Sequence, residues 1–465
     1  MKANEIVISK LADLLIDQKF IRHMTLNRLD KFVYDRMIRN YSGKEDKANQ
    51  IARYYFFSAI MNRTSFNLDR SVISPEVLKK IRKVLIGDNF LANGNFKVPR
   101  PEHDVYKQKY ESTPPSFIVL SPTQRCNLQC TGCYAASNNN TTPTLPFSIV
   151  NRIVNDVHDQ FGRRFVVISG GEPFMYKSEG KTLLDLFEKH NDMFFMVYTN
   201  GTLINKEITQ KLATIGNVIP AISVEGYEKE TDERRGKGVY RKILAAIENL
   251  KSVGVPFFIS VTATSKNVEL LLDEKFYDYY FNTLGASFMW QFQFMPIGKG
   301  NGAFDLVVSP QKRIELFRFW NKLVKEDKIP LADFWNNAIL SNGCIAYGNN
   351  NGYLYVDWNG NIMPCVFIPY YTDNIYDLYK ENKTLADATV SEFMINGQKW
   401  RRQNFNKNLL MPCAIRDHYL NFRDNILPSN VKAENKEASD AYRSVEYRKA
   451  MDYYDKELSK LIEKI

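Results

Sequence analysis

Between residues 116 and 300, short apolar runs alternate with stretches of helical period. The runs 116–121, 164–169, 193–199, 218–225, 257–263 and 287–296 each have the length and composition of a strand. Between them, Phe147–Phe161 places Ile149, Ile153, Val154 and Val157 on one helical face. Arg241–Val253 does the same with Ile243, Leu244, Ile247 and Leu250, and Gly254 supplies its stop. This alternation predicts an α/β fold, an open, partial (β/α)6 barrel of parallel strands, with too few units to close an eight-stranded barrel. Ligands bind such sheets at the carboxyl ends of the strands, where the connecting loops gather.

The flanks differ. Residues 1–100 read as a helical N-terminal region: Leu11, Leu14 and Leu15 share a face. Ser74 and Pro75 mark a helix start ahead of Leu78, Ile81 and Leu85. Residues 86–115, rich in Asn, Gly, Pro and charge, read as a linker, and its 101–115 part leads into a core domain at 116–310. After 310, an amphipathic helix (Gln311–Glu326) precedes a Gly- and Asn-rich stretch. Tyr353–Val356 and Asn361–Met363 then read as a hairpin closed by a primed turn at Asn359-Gly360. Residues 311–430 thus form a small α+β extension, and 431–465 a charged C-terminal helix. There are no internal repeats.

Composition narrows the class. At 465 residues, 44% hydrophobic and 25% charged, the chain is an ordinary globular protein of roughly two or three domains, not a disordered chain or a disulfide miniprotein. Its net charge of 62 − 52 = +10 favours anionic partners without choosing among them, so nucleic acid is not adopted on charge alone. Basic helices near the N-terminus would suit a peripheral membrane contact. Glu5, Lys10, Asp13 and Asp17 break what a signal peptide would need unbroken, and the long uncharged runs Tyr279–Gly298 and Phe334–Val356 are threaded with polar residues. A cytoplasmic location with reduced thiols is expected.

That expectation bears on the six cysteines. Cys126, Cys130 and Cys133 crowd into SPTQRCNLQCTGCYA, a polar loop directly after the first apolar run, whereas Cys344, Cys365 and Cys413 are dispersed. A tetrahedral zinc site would ask for four ligands, and no histidine lies near the first group. Three thiolates on one tight loop suit three irons of a cubane, leaving the fourth open. For the second group, structural cysteines or zinc remain alternatives.

The pattern Cys126-x3-Cys130-x2-Cys133 resembles the radical S-adenosylmethionine (SAM) superfamily. So do Gly170-Gly171-Glu172-Pro173, Thr199-Asn200-Gly201 and Ser223-Val224-Glu225-Gly226, each ending a successive strand. The resemblance covers about residues 115–300. It implies a [4Fe–4S] cluster on the three cysteines, SAM on the open iron, and reductive cleavage to a 5′-deoxyadenosyl radical that attacks a C–H bond. It also implies SAM contacts from Gly170 and Gly171, which leave room for the methionyl amine, and from Glu172, Asn200, Ser223 and Glu225. Arg235 is a candidate for the SAM carboxylate, with a solvated turn as its alternative. The residue before Cys133 is Gly132 and not an aromatic, so its backbone is expected to approach the adenine without an aromatic stack from that position; Tyr134, just after Cys133, is a further candidate for cofactor binding. A reductant of the flavodoxin or ferredoxin class is implied as partner.

The Cys344–hairpin–Cys365 layout, with Cys413, resembles the SPASM/twitch extension of that superfamily and implies a second, auxiliary [4Fe–4S] cluster, with Asp417 or His418 as candidates for its fourth ligand. The organic substrate is open: a peptide, as for a cross-linking or oxidising maturase, or a lipid, for a radical C–C bond-forming enzyme. The aromatic segments 284–298 and 353–371 serve as core or as an apolar channel. A non-enzymatic metal-binding protein is the competing class.

Overall fold

The computed structural model describes residues 22–39, 47–70, 72–85, 100–140, 142–336, 338–349, 352–404 and 409–463. Six strands form where the apolar runs predict them: β1 (Phe117–Leu120), β2 (Phe165–Ile168), β3 (Phe194–Thr199), β4 (Val218–Val224), β5 (Phe258–Ala263) and β6 (Phe288–Gln293). They pair in parallel in chain order, because each returns through a helical crossover. The sheet continues at both ends. A three-residue strand, β7 (Leu331–Asp333), pairs parallel to β6. At the other edge β8 (Tyr353–Val356) lies parallel to β1, followed by antiparallel β9 (Asn361–Met363) and β10 (Asp373–Asn374). The order is β10-β9-β8-β1-β2-β3-β4-β5-β6-β7, so the hairpin read as part of a separate extension completes the core sheet instead.

The hairpin turn also differs from the primed turn expected. In Asp357–Gly360 only Gly360 has positive φ (78°), and Gly360 N–H bonds Asp357 O at 3.0 Å. The Asp357 carboxylate accepts the N–H groups of Asn359 (2.8 Å) and Asn361 (2.9 Å). That side-chain turn fixes a wider loop with one left-handed residue.

The N-terminal helices are α1 (Arg22–Tyr34), α2 (Lys47–Asp69) and α3 (Pro75–Lys80). Ser74 caps α3 as its sequence predicts, accepting Val77 N–H at 3.3 Å. The stripe Leu11, Leu14, Leu15 lies outside the described residues. This region docks on the N-terminal ends of the strands. Buried Arg63 donates to Ala286 O (2.9 Å) just before β6, and Ser74 N–H bonds Gly254 O (2.7 Å) before β5. Gly254, at φ +70°, would place a Cβ 2.6 Å from Ser74 N. The segment read as a linker holds a helix, α4 (Pro101–Tyr110), whose buried Tyr106 hydroxyl meets Thr389 Oγ1 at 2.6 Å.

The crossovers are α5 (Phe147–Asp159), α6 (Leu183–Lys189), α7 (Lys206–Ile215), α8 (Glu228–Arg235) and α9 (Val239–Ser252). Their buried faces are shifted slightly from the sequence reading. Val150 is buried in α5 where Ile149 is only half-buried, and Ala246 is buried in α9 where Leu244 is half-buried. Helix α10 (Pro310–Lys325) precedes β7, and α11 (Glu392–Gln403) lies in the C-terminal part. The terminal segment forms two helices instead of one, α12 (Lys436–Arg443) and α13 (Val445–Ile462). Ser444 ends the first and caps the second, its Oγ accepting Tyr447 N–H at 3.1 Å.

Candidate active site

The loop after β1 carries Cys126, Cys130 and Cys133, and it is held down by the end of β2. Gly171 N–H bonds Thr123 O (2.9 Å) and Glu172 N–H bonds Arg125 O (2.8 Å). A Cβ on Gly171 would stand 2.2 Å from Arg125 O and 2.4 Å from Gln124 O, and one on Gly170 2.6 Å from Thr123 O. The two glycines are therefore required by contact with the cysteine loop itself.

Glu172 is fully buried, and both carboxylate oxygens are engaged. Oε1 accepts Thr199 Oγ1–H (2.8 Å) and Phe174 N–H (3.1 Å), and Oε2 accepts Asn200 N–H (2.8 Å). Burial lifts its pKa to about 6 against these bonds. Its carboxylate thus links the ends of β2 and β3. Asn200 in turn donates Nδ2–H to Asn127 Oδ1 (2.8 Å) and faces Cys126 Sγ at 3.8 Å. Cys126 Sγ also accepts Leu128 N–H at 3.5 Å.

The end of β4 supplies a charge clamp. Glu225, 2% exposed, takes Arg234 Nη1 on Oε2 (2.6 Å) and Arg235 Nη2 and Nε on Oε1 (2.6 and 2.9 Å). Arg235 is therefore paired within the protein. Arg234 also donates Nε–H to Thr131 O (3.1 Å) and accepts Thr131 N–H on its carbonyl (2.9 Å), tying α8 to the loop between Cys130 and Cys133. Ser223 lies half-buried at the same edge, in register with Ser260 and Trp290.

Gly132 (φ +68°) packs where a Cβ would meet Phe294 at 2.6 Å. Tyr134 shares a 2.7 Å hydrogen bond with Ser169 Oγ, and its ring lies 6.0 Å from Phe367. Phe367 continues to Phe292 (5.9 Å), Phe334 (5.5 Å) and Trp335 (4.7 Å). These rings form an aromatic wall between the first cysteine loop and the segment after Cys365.

The first three thiols sense one another, so ionising one disfavours the next. Burial pushes Cys126 up to about 12 and also raises Cys130, which Arg235 and Arg234 oppose. Cys344, Cys365 and Cys413, distant in sequence, likewise lie within electrostatic range of each other, with Cys413 raised chiefly by burial. Tyr353 Oη lies 2.8 Å from Cys365 Sγ, and Ala346 N–H points at Cys344 Sγ (3.4 Å). Of the candidate fourth ligands, Asp417 is fully buried in an ion pair with Arg313 (2.6 Å) and caps Cys413 N–H (3.0 Å). His418 bonds Met411 O through Nε2 (2.9 Å) and lines a pocket with Cys344 and Trp400. Among the described residues, no three His, Cys, Asp or Glu side chains gather as a single ion would need.

Sequence reasoning missed Asn127, Thr131 and Arg234, which act through long-range bonds. The Arg234-Arg235-Gly236 run at a helix end was the one available signal for the clamp. It also missed Tyr347, whose phenol is within electrostatic range of the second thiols.

Residues 120–268 match the family model of the Radical SAM superfamily, whose members are enzymes. It is 26% identical over 293 residues to an AdoMet-dependent heme synthase of Methanosarcina barkeri, covering 56% of this chain and 79% of that one. It is 28% identical over 289 residues to the mycofactocin maturase MftC of Mycolicibacterium smegmatis, covering 59% and 68%. The fold is that of Streptococcus suis SuiB bound to its precursor peptide SuiA, at a TM-score of 0.53 and 17% identity over 80% of this chain and 88% of that one. No helix among the described residues is long and apolar enough to cross a membrane.

Proposed function

We propose that Cys126, Cys130 and Cys133 hold a [4Fe–4S] cluster whose open iron takes SAM, and that the chain uses the pair to remove a hydrogen atom from carbon. The observation carrying this reading is the three-thiol loop at the carboxyl end of β1, pressed onto glycines that admit no side chain. When bound, the cluster supplies one electron that splits the S–C5′ bond of SAM into methionine and a 5′-deoxyadenosyl radical. The protein's part is positioning and charge. Asn200 directs an amide N–H at Cys126, while Arg234 and Arg235 set positive charge beside Cys130 and favour its thiolate. Ser223, Gly132 and Tyr134 are proposed for direct SAM contact. Glu172, Glu225 and Arg235 act on it through the loops they hold.

Cys344, Cys365 and Cys413 are proposed to hold a second [4Fe–4S] cluster. Its support is the convergence of thiols so far apart in sequence, with the Tyr353 hydroxyl on Cys365. The reductant would be of flavodoxin or ferredoxin class. The aromatic wall between the thiol groups suits an apolar portion of the substrate, and the maturase relative favours a peptide over a lipid. Of the support for a lipid, the N-terminal helices α2 and α3 are engaged at the opposite end of the barrel. The test is anaerobic reconstitution followed by assay for 5′-deoxyadenosine with SAM and dithionite. The native chain should form it and Cys130→Ala should not; undiminished product from Cys130→Ala would reject the assignment.

A further inference from the structure

A further polar side chain stands within electrostatic range of the second set of thiols, with its backbone bonded to the residue before Cys365. Tyr347 is fully buried and sits at φ +68°, a left-handed conformation uncommon for residues with a Cβ. Its ring fills a notch in α11: a Cβ on Gly397 would stand 2.0 Å from the ring, and Phe393 flanks it at 6.2 Å. The main chain is fixed on both sides, by Tyr347 N–H on Pro364 O (3.2 Å) and Gln398 Nε2–H on Tyr347 O (2.9 Å). Placed this way, the phenol lies within electrostatic range of Cys344, Cys413 and Cys365.

Among the described residues, the Tyr347 hydroxyl has no hydrogen-bond partner. Buried hydroxyls without partners are costly and rare in folded proteins, and each calls for a missing partner. Tyr353, on the neighbouring strand, already directs its hydroxyl at Cys365 Sγ. The other polar candidates are engaged, Asp417 with Arg313 and His418 Nε2 with Met411 O.

We infer that the Tyr347 hydroxyl donates a hydrogen bond to a sulfur of the auxiliary iron–sulfur cluster and raises that cluster's reduction potential. The inference rests on the auxiliary-cluster reading above. Reduction adds negative charge to the cluster, and an O–H donor at sulfur stabilises the reduced form more than the oxidised one. Removing the hydroxyl while keeping the ring must therefore make the cluster harder to reduce.

The test uses the full chain with Cys126, Cys130 and Cys133 changed to Ala, so that only the auxiliary site is loaded. Iron is counted, and the potential is followed by electron paramagnetic resonance. Adding Tyr347→Phe should leave the iron content unchanged and move the midpoint potential to more negative values. Tyr353→Phe, a parallel loss of an O–H donor, should move it the same way. An unchanged potential in Tyr347→Phe with full iron would overturn the inference. Loss of one iron to a three-iron signal would also overturn it, by making Tyr347 a ligand. A parent without iron would instead remove the auxiliary cluster itself.

Discussion

Gly171→Ala isolates the contact on which the first cluster loop depends. The added methyl would lie 2.2 Å from Arg125 O and 2.4 Å from Gln124 O, with Arg125 C at 2.6 Å. These are backbone atoms, which cannot swing aside as a side-chain tip can, so the loop itself must move. Overpacking of this kind costs about 1–3 kcal/mol. The shift also strains the Gly171–Thr123 and Glu172–Arg125 hydrogen bonds, each worth about 0.5–1.5 kcal/mol net. Together they disfavour the native loop by about 2–6 kcal/mol, a thirtyfold or larger shift at the lower bound. The assays are iron per chain after anaerobic reconstitution, 5′-deoxyadenosine formation and thermal unfolding. Iron at the first site and SAM cleavage should both fall steeply. Gly180→Ala is the control. It is exposed with no atom within 4 Å of the added Cβ, and at φ +72° it should cost only about 1–2 kcal/mol of stability and no iron. A Gly171→Ala chain with full iron and undiminished cleavage would refute the idea that the glycine strip holds the loop.

Three further expectations follow from the same geometry. Arg234→Met removes one guanidinium from buried Glu225 and frees Thr131 O, so first-site iron should fall even though Arg235 still neutralises Glu225; unchanged iron content would argue against the tie. Arg313→Met strands the buried Asp417 carboxylate and should cost about 3–5 kcal/mol, with Arg313→Met/Asp417→Leu recovering much of it; equal chemical-denaturation midpoints for single and double variants would contradict this. Asp357 is buried with its pKa raised from 3.8 to about 6, so the native state holds this proton more tightly than the unfolded chain. Its contribution is most favourable below about pH 4 and is lost as pH rises through 6, by about 3 kcal/mol. Asp357→Asn should flatten that part of the melting-temperature profile, and a persistent slope would place it in another group.

The first four strands were legible because each apolar run leads into a marker that local sequence carries: the loop of Cys126, the Gly170 run, Thr199-Asn200-Gly201 and Ser223-Val224-Glu225-Gly226. What failed to show was mostly nonlocal. Strand β7 has three residues, too few to display a period, and β8 reads as a hairpin arm because nothing in its sequence reveals that Phe117–Leu120 will pair beside it. The same limit hid the Arg234–Thr131 tie, which joins residues 103 apart in the chain. Glu172, at the end of β2, and Arg235, at the end of α8, stand out in the sequence as polar residues beside the strand ends, but sequence could not show that Thr199, Asn200 and Glu225 would occupy them. The 431–465 segment looked continuous because Ser444 is a mild helix residue; its capping role appears only with Tyr447 N–H in place.

Mössbauer spectroscopy on iron-57-labelled chain with Cys344, Cys365 and Cys413 changed to Ala tests most directly whether one iron at the first loop lacks a protein ligand. The account predicts a [4Fe–4S] spectrum in which a single iron changes its parameters when SAM is added. Four irons indifferent to SAM, or a site that loads zinc and no cluster, would contradict it.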